Sequence, residues 1–161
     1  MAAGVFHAVT AVVLVLTILC LGVNALGWIR LRALARVVSG ARAALAPREI
    51  ERLGQLTGLI RLEAVYFTLL LLYALAYPGV LAWGPVLFVV LYHWLGWAAN
   101  EWTHTTARAV ARLRRDPTPA PSFRARARTA LAVIGALDVL EAAVLLYIIL
   151  ALAGSLRHAS A

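Results

Sequence analysis

The sequence predicts an all-α integral membrane protein, a four-helix antiparallel bundle with a polar core. Three observations predict it. The chain has 161 residues, 63% of them hydrophobic and 14% charged, with a mean hydropathy of +0.87. A soluble domain is nearer half apolar and a quarter charged. Apolar stretches recur at 5–28, 59–77, 85–105 and 129–153, each on the order of 20 residues, enough to cross ~30 Å of hydrocarbon at ~1.5 Å per residue. The third observation is the placement of charge. All fifteen basic residues are arginines, and they fall into two groups, residues 30–61 and 108–128, with Arg157 alone outside them.

Taken in order, the first stretch reads as a retained span and not a signal peptide. It is too long for a leader's apolar region, and its positive charges follow it instead of preceding it. The segment 29–58 reads as a cytoplasmic amphipathic loop. Within it, Ala46-Pro47-Arg48-Glu49 has the proline and acid of a helix start. Ile50, Leu53 and Leu56 then form an apolar stripe suited to a membrane surface. The second and third spans are joined by Tyr77-Pro78-Gly79 and Gly84-Pro85, a connection so short that the two must be antiparallel neighbours. Tyr77 and Trp83 suit an outer aromatic belt, and Trp28 and Trp102 an inner one. The segment 106–128 reads as a basic, proline-rich cytoplasmic loop, with Asp116-Pro117-Thr118-Pro119-Ala120-Pro121 extended and Ser122 capping the helix into the fourth span. The whole chain is one membrane domain, since no segment is long enough to build a separate soluble core.

The arginine bias places both long loops in the cytoplasm and both termini outside, as in a bacterial or archaeal cytoplasmic membrane. Arg30, Arg32, Arg108, Arg112 and Arg115 border the spans and are expected at anionic lipid headgroups. A net charge of +8 arranged this way points to the bilayer as partner and not to nucleic acid. The single cysteine, Cys20, permits neither an internal disulfide nor a thiolate metal motif. Glycine-rich phosphate loops and nucleophile-elbow triads are absent from the sequence.

The informative residues are the acids inside the spans. Glu63, Glu101, Asp138 and Glu141 all fall within apolar stretches, where insertion scales charge about 3 kcal/mol for an acid at mid-span. Such groups are kept when they face a bundle interior and act there. Each span carries a matching polar stripe at helical spacing: His7, Thr10, Thr17 and Asn24; Glu63, Tyr66, Tyr73 and Tyr77; His93, Trp97, Asn100 and His104; Asp138 and Glu141. Counted at ~1.5 Å per residue from the bordering arginines, these groups fall into two clusters. The inner one holds Asn24, Glu63, Tyr66, Asn100, Glu101 and His104. The mid-membrane one holds His93, Asp138 and Glu141, with Tyr73 and Thr17 near it.

Three readings compete. The first is an intramembrane carboxylate–histidine site made by Glu63, Glu101, His104, Asp138 and Glu141 and supported by Asn24, Asn100, His93 and Tyr66. It binds a divalent metal or another cation, or relays protons. Glu101 and His104 form a Glu-x-x-His pair, which in di-iron bundles projects two metal ligands from one turn. The second is a non-catalytic subunit of a homo-oligomer or larger complex, packed through small residues such as Gly22, Gly96 and Gly135. The third is an enzyme or binder for a lipid- or quinone-like ligand, walled by Trp94, Trp97, Tyr66, Tyr73 and Phe67. Haem is disfavoured, because His93 has no second histidine at its depth.

Overall fold

The computed structural model describes residues 2–118 and 120–158. It is all-helical: α1 (Ala2–Val38), α2 (Pro47–Gly54), α3 (Leu56–Ala76), α4 (Trp83–Thr103), α5 (Thr105–Arg115) and α6 (Pro121–His158). No strand occurs among the described residues. Three segments are long and apolar enough to cross a membrane, Gly4–Val38, Pro47–Ala76 and Pro121–Arg157. The second of these joins α2 to α3, and its apolar part is α3.

Helix α4 is not among the three, although four spans were expected. Its 21 residues reach about 32 Å at ~1.5 Å rise, so length is not the reason. Tyr92, His93, Asn100, Glu101 and four tryptophans dilute its apolarity. Of these, His93 is buried and Tyr92 half-buried, while the tryptophans stay exposed. Helix α4 packs on α3 and on α6, α1 packs on α3 and α6, and these contacts close a cycle of four long helices.

The helices bury one face and leave apolar side chains on the other. Val12, Val15 and Leu19 of α1, Leu62, Val65 and Leu72 of α3, Leu91 and Leu95 of α4 and Val139 and Leu150 of α6 are all exposed. An apolar exterior of this extent suits lipid as the surrounding solvent. The core within the cycle contains Phe67, Leu70, Val86, Val89, Leu145, Ile148 and Leu152, each with essentially no exposed surface. One close approach fixes the α1–α6 pair. A Cβ placed on Gly135 would lie 2.9 Å from the Trp28 indole, so the ring sits where only glycine leaves room.

The basic segments are more helical than expected. Helix α1 continues to Val38 and α6 starts at Pro121, so each runs well past its apolar stretch. Helix α2 does begin at Pro47, and the Glu49 carboxylate accepts the Ala46 N–H at 2.7 Å and an Arg42 N–H at 2.7 Å. The stripe of Ile50 and Leu53 faces protein and not a membrane surface. It is buried with Ala33, Val37 and Leu45 against Val110 and Leu113 of α5, in a second small core. Before α6, Asp116 closes a local turn onto the Thr118 N–H at 2.9 Å. Pro119 lies outside the described residues. Ser122 is not a cap. Pro121 takes the first helical position, and the Ala120 carbonyl accepts the first bonds of the helix.

Candidate metal centre

Helix α4 is interrupted at His104, whose backbone is left-handed at φ 51. The expected third span ran to residue 105; the helix stops at Thr103 instead. The Asn100 amide oxygen then accepts both the backbone N–H (3.2 Å) and the hydroxyl (2.7 Å) of Thr106, which lies in the first turn of α5. The break falls at the histidine of the Glu-x-x-His pair, and His104 remains near enough to act electrostatically on the Glu101 carboxylate. Glu101 is engaged on the flank by Arg61, which donates Nε to Oε1 at 2.6 Å and Nη2 to Oε2 at 3.0 Å. A bidentate guanidinium is the strongest available partner for a carboxylate. Glu101 and His104 therefore stand apart from the buried acids, and Asn100 serves a helix start.

The structure gathers a different set, from three helices. His93 of α4, Glu63 of α3 and Glu141 of α6 place one ligand atom each within 4.8 Å of one another. His93 Nε2 lies 3.4 Å from Glu141 Oε2 and 3.8 Å from Glu63 Oε2. The side chains are 7%, 2% and 14% exposed for His93, Glu141 and Glu63. From α1, Asn24 Nδ2 donates to Glu141 Oε2 at 3.0 Å. Sequence counting had put Glu63 and His93 at different depths. The Arg61–Glu101 pair explains the error, because a paired arginine does not mark the membrane boundary. Depth is better counted from the start of α3 and the end of α4. Glu63 then lies about 10 Å along α3 from its start and His93 about 15 Å along α4 from its end, at the rise of an α-helix.

The orientation of His93 is set by its own helix. Nδ1 lies 2.8 Å from the Val89 carbonyl oxygen. A carbonyl only accepts, so Nδ1 carries the proton. Phe67 stacks on the ring at 4.0 Å, with planes 26° apart, and fixes its tilt. In the neutral imidazole the Nε2 lone pair then faces two carboxylates. Three electron-rich groups pointing at one another in a buried site call for a proton or a cation between them. A histidine with one nitrogen bonded to a backbone carbonyl and the other turned to carboxylates has the outer-shell geometry of a metal ligand.

The spacing supports the same chemistry. Ligands at about 2.1 Å from a tetrahedral ion lie about 3.4 Å apart, and the His93–Glu141 distance is 3.4 Å. Glu63 is slightly farther from Nε2 than Glu141 is, at 3.8 Å, a difference within the reach of a side-chain torsion. Glu141 Oε1 is buried and makes no hydrogen bond. A buried acceptor without a partner is costly, and a cation at this point would satisfy it. One imidazole and two carboxylates form a mixed nitrogen and oxygen set of the kind used for zinc, manganese or iron.

The remaining expected residues lie near this centre without joining it. Asp138 accepts the Tyr92 hydroxyl at 3.0 Å, one turn from Glu141. Tyr66 donates to Thr17 at 2.8 Å, and Thr17 donates back to the Val13 carbonyl at 2.7 Å. Tyr73 and Thr10 share a bond of 3.0 Å farther along. Of the expected ligand-pocket walls, Tyr66, Tyr73 and Phe67 are buried in the core instead, and Trp94 lines a surface groove with Arg61 and Glu101. Trp97 alone of that set lines the cavity of about 760 Å³ that reaches Glu63, His93, Asp138 and Glu141. Arg108 and Arg112 line the same cavity, Arg32 a groove beside Asn24 and Trp28, and Arg30 buries one nitrogen without a partner. Arg115 is exposed in the last turn of α5.

No known protein family, no curated protein and no solved structure matches the chain. The fold and the site therefore define only a class: a helical protein with three apolar membrane-length helices and a buried Glu–His–Glu group able to hold a metal ion.

Proposed function

We propose that this protein is a four-span antiparallel membrane bundle that binds a divalent metal through Glu63, His93 and Glu141. The bundle reading is supported by the pairings between helices. On α1 and α3, Thr10 meets Tyr73 and Thr17 meets Tyr66, so residue numbers rise on one helix as they fall on the other. The Arg61–Glu101 and Thr68–Trp94 pairs run oppositely in the same way on α3 and α4, as do Asn24–Glu141 and Trp28–Gly135 on α1 and α6. With the arginine groups on the cytoplasmic side, the termini lie outside and the metal site lies in the cytoplasmic half.

The observation that carries the metal reading is the set of ligand atoms within 4.8 Å, with His93 Nε2 turned to the acids by the Val89 carbonyl. Two carboxylates and a neutral imidazole carry two negative charges, which a divalent ion balances. Three protein ligands leave at least one coordination position free, as in catalytic and not structural zinc sites. All three ligands line the large cavity, so that position is within reach of a bound molecule. Asn24 acts on the ion only through Glu141.

A proton path through the bundle fits less well. The Thr17–Tyr66 and Thr10–Tyr73 pairs continue from the site toward the other end. Two turns of helix, about 10 Å, separate the one pair from the other. Val13, Phe67 and Leu70 pack in that layer, and its hydroxyl on α3, Thr68, is engaged with the Ala64 carbonyl and the Trp94 indole. The test is elemental analysis of protein purified in detergent. About one transition metal per chain is expected for wild type, with loss in Glu63→Gln, His93→Ala and Glu141→Gln. Wild-type protein that takes up no stoichiometric metal overturns the reading.

A further inference from the structure

The cavity that reaches the metal ligands has an uneven lining. Its deep end is polar, made by Glu63, His93, Asp138 and Glu141. Its middle is a wall of aliphatic side chains from five helices, among them Leu34, Leu53, Leu59, Val110 and Leu131. Its far end carries Arg108, Arg112 and Arg126. None of these three arginines forms an ion pair with an acid among the described residues. Arg112 lies over the Phe123 ring, 5.5 Å from its centroid. The aromatic face thus holds this guanidinium at the cavity end.

Among the neighbouring long helices around the cavity, α4 and α6 pack least closely. Those helices are tied by the Tyr92–Asp138 bond, and Tyr147 binds the Ala82 N–H at the opposite end. Toward the arginines the facing positions are small, Gly96 on α4 and Ala127 and Ala130 on α6. Trp97 and Ile134 at that gap are 41% and 38% exposed. A chain could therefore enter sideways from the bilayer.

We propose that this cavity binds one chain of an anionic phospholipid, with its phosphate at Arg108, Arg112 and Arg126 and its acyl chain along the aliphatic wall toward the metal ligands. Charge complementarity selects the head: three guanidiniums without acid partners are bidentate phosphate donors. The aliphatic wall selects the tail. Arg126 and Asp138 lie on the one helix α6, and the rise between them is about 18 Å. An extended acyl chain with its head at the arginines therefore comes to the acidic end. The inference rests on the metal reading only for what the far end of the chain meets. The binding itself does not require the ion.

The test uses full-length protein in phosphatidylcholine nanodiscs, doped with phosphatidylglycerol brominated on its acyl chains or with brominated phosphatidylcholine. Quenching of Trp97 is read as the difference between wild type and Trp97→Phe. At equal doping, anionic lipid is expected to quench Trp97 several-fold more than zwitterionic lipid, and to saturate. The triple variant Arg108→Gln, Arg112→Gln, Arg126→Gln should remove the preference, and millimolar inorganic phosphate should leave it in place. Equal quenching by the two lipids overturns the proposal, as does full displacement by inorganic phosphate, which would make the site one for the free ion. Glu141→Gln should lose metal and keep the lipid preference, so failure of the metal reading leaves a separate signature.

Discussion

Replacing Asn24 by alanine probes the centre without touching a ligand. Asn24 Nδ2 donates to Glu141 Oε2 at 3.0 Å, and Glu141 Oε1 has no partner at all. Removing the amide leaves a buried carboxylate with no hydrogen bond from a side-chain amide. An outer-shell partner of a metal ligand is worth about 10–100-fold in metal affinity, or about 1.4–2.8 kcal/mol. The expectation for Asn24→Ala is a loss in that range, measured by calorimetric titration of chelator-stripped protein with zinc or manganese. Because Asn24 works through Glu141, the two changes should not add: in a Glu141→Gln background, Asn24→Ala should change the residual affinity little. An Asn24→Ala protein that binds metal as tightly as wild type would refute the assignment of Glu141 as a ligand held by α1.

Other consequences concern the surroundings of the site. Gly135→Ala should lower thermal stability by about 1–3 kcal/mol through overpacking against Trp28, and Trp28→Ala in the same chain should recover part of it; unchanged melting in Gly135→Ala alone would show that α1 and α6 do not meet there. Glu101→Gln should leave metal content unchanged and barely move thermal stability, since its partner Arg61 is 60% exposed; loss of metal would return Glu101 to the centre. The Ala46 N–H and then the Arg42 guanidinium hold the Glu49 carboxyl below its ordinary value. A depressed folded pKa means that Glu49 stabilises the start of α2 fully above about pH 4.3 and stops doing so as pH falls through the lower folded value. Protection factors at residues 48–54, corrected for the intrinsic pH dependence of exchange, should therefore fall on acidification in wild type and be acid-insensitive in Glu49→Gln; identical pH dependence in the two proteins would contradict this.

Much of the fold was legible because lipid imposes simple rules. Apolar length found three of the helices directly, and the inward polar stripes of α1 and α3 are the ones the spacing indicated: Thr10, Thr17 and Asn24 recur every seven residues, as do Tyr66 and Tyr73. Those two heptad runs hold a signal that single-helix depth counting missed. Set antiparallel, they fix the register of α1 on α3 and place Glu63 level with Cys20, one turn from Asn24. The site itself was half legible. Glu63, His93 and Glu141 were all in view, but Arg61 was read as a boundary marker, and that separated Glu63 from His93. The sequence could not show that Arg61 would reach across to Glu101, because that pairing depends on the α3–α4 register. The left-handed turn at His104 was equally hidden. A Glu-x-x-His motif presumes a continuous helix, and nothing local to Thr103-His104-Thr105 announces the break. Asp138 and Glu141 share a helix face at i, i+3, yet Tyr92 claims one and His93 and Asn24 the other, a division set by the neighbouring helices.

The most direct measurement is X-ray absorption at the edge of the bound metal, on wild-type protein loaded with one equivalent of zinc. The account predicts a first shell of nitrogen and oxygen at about 2.0–2.2 Å, with the multiple-scattering signature of a single imidazole that disappears in His93→Ala. A shell of water oxygens alone, or an imidazole signal that survives His93→Ala, would contradict it.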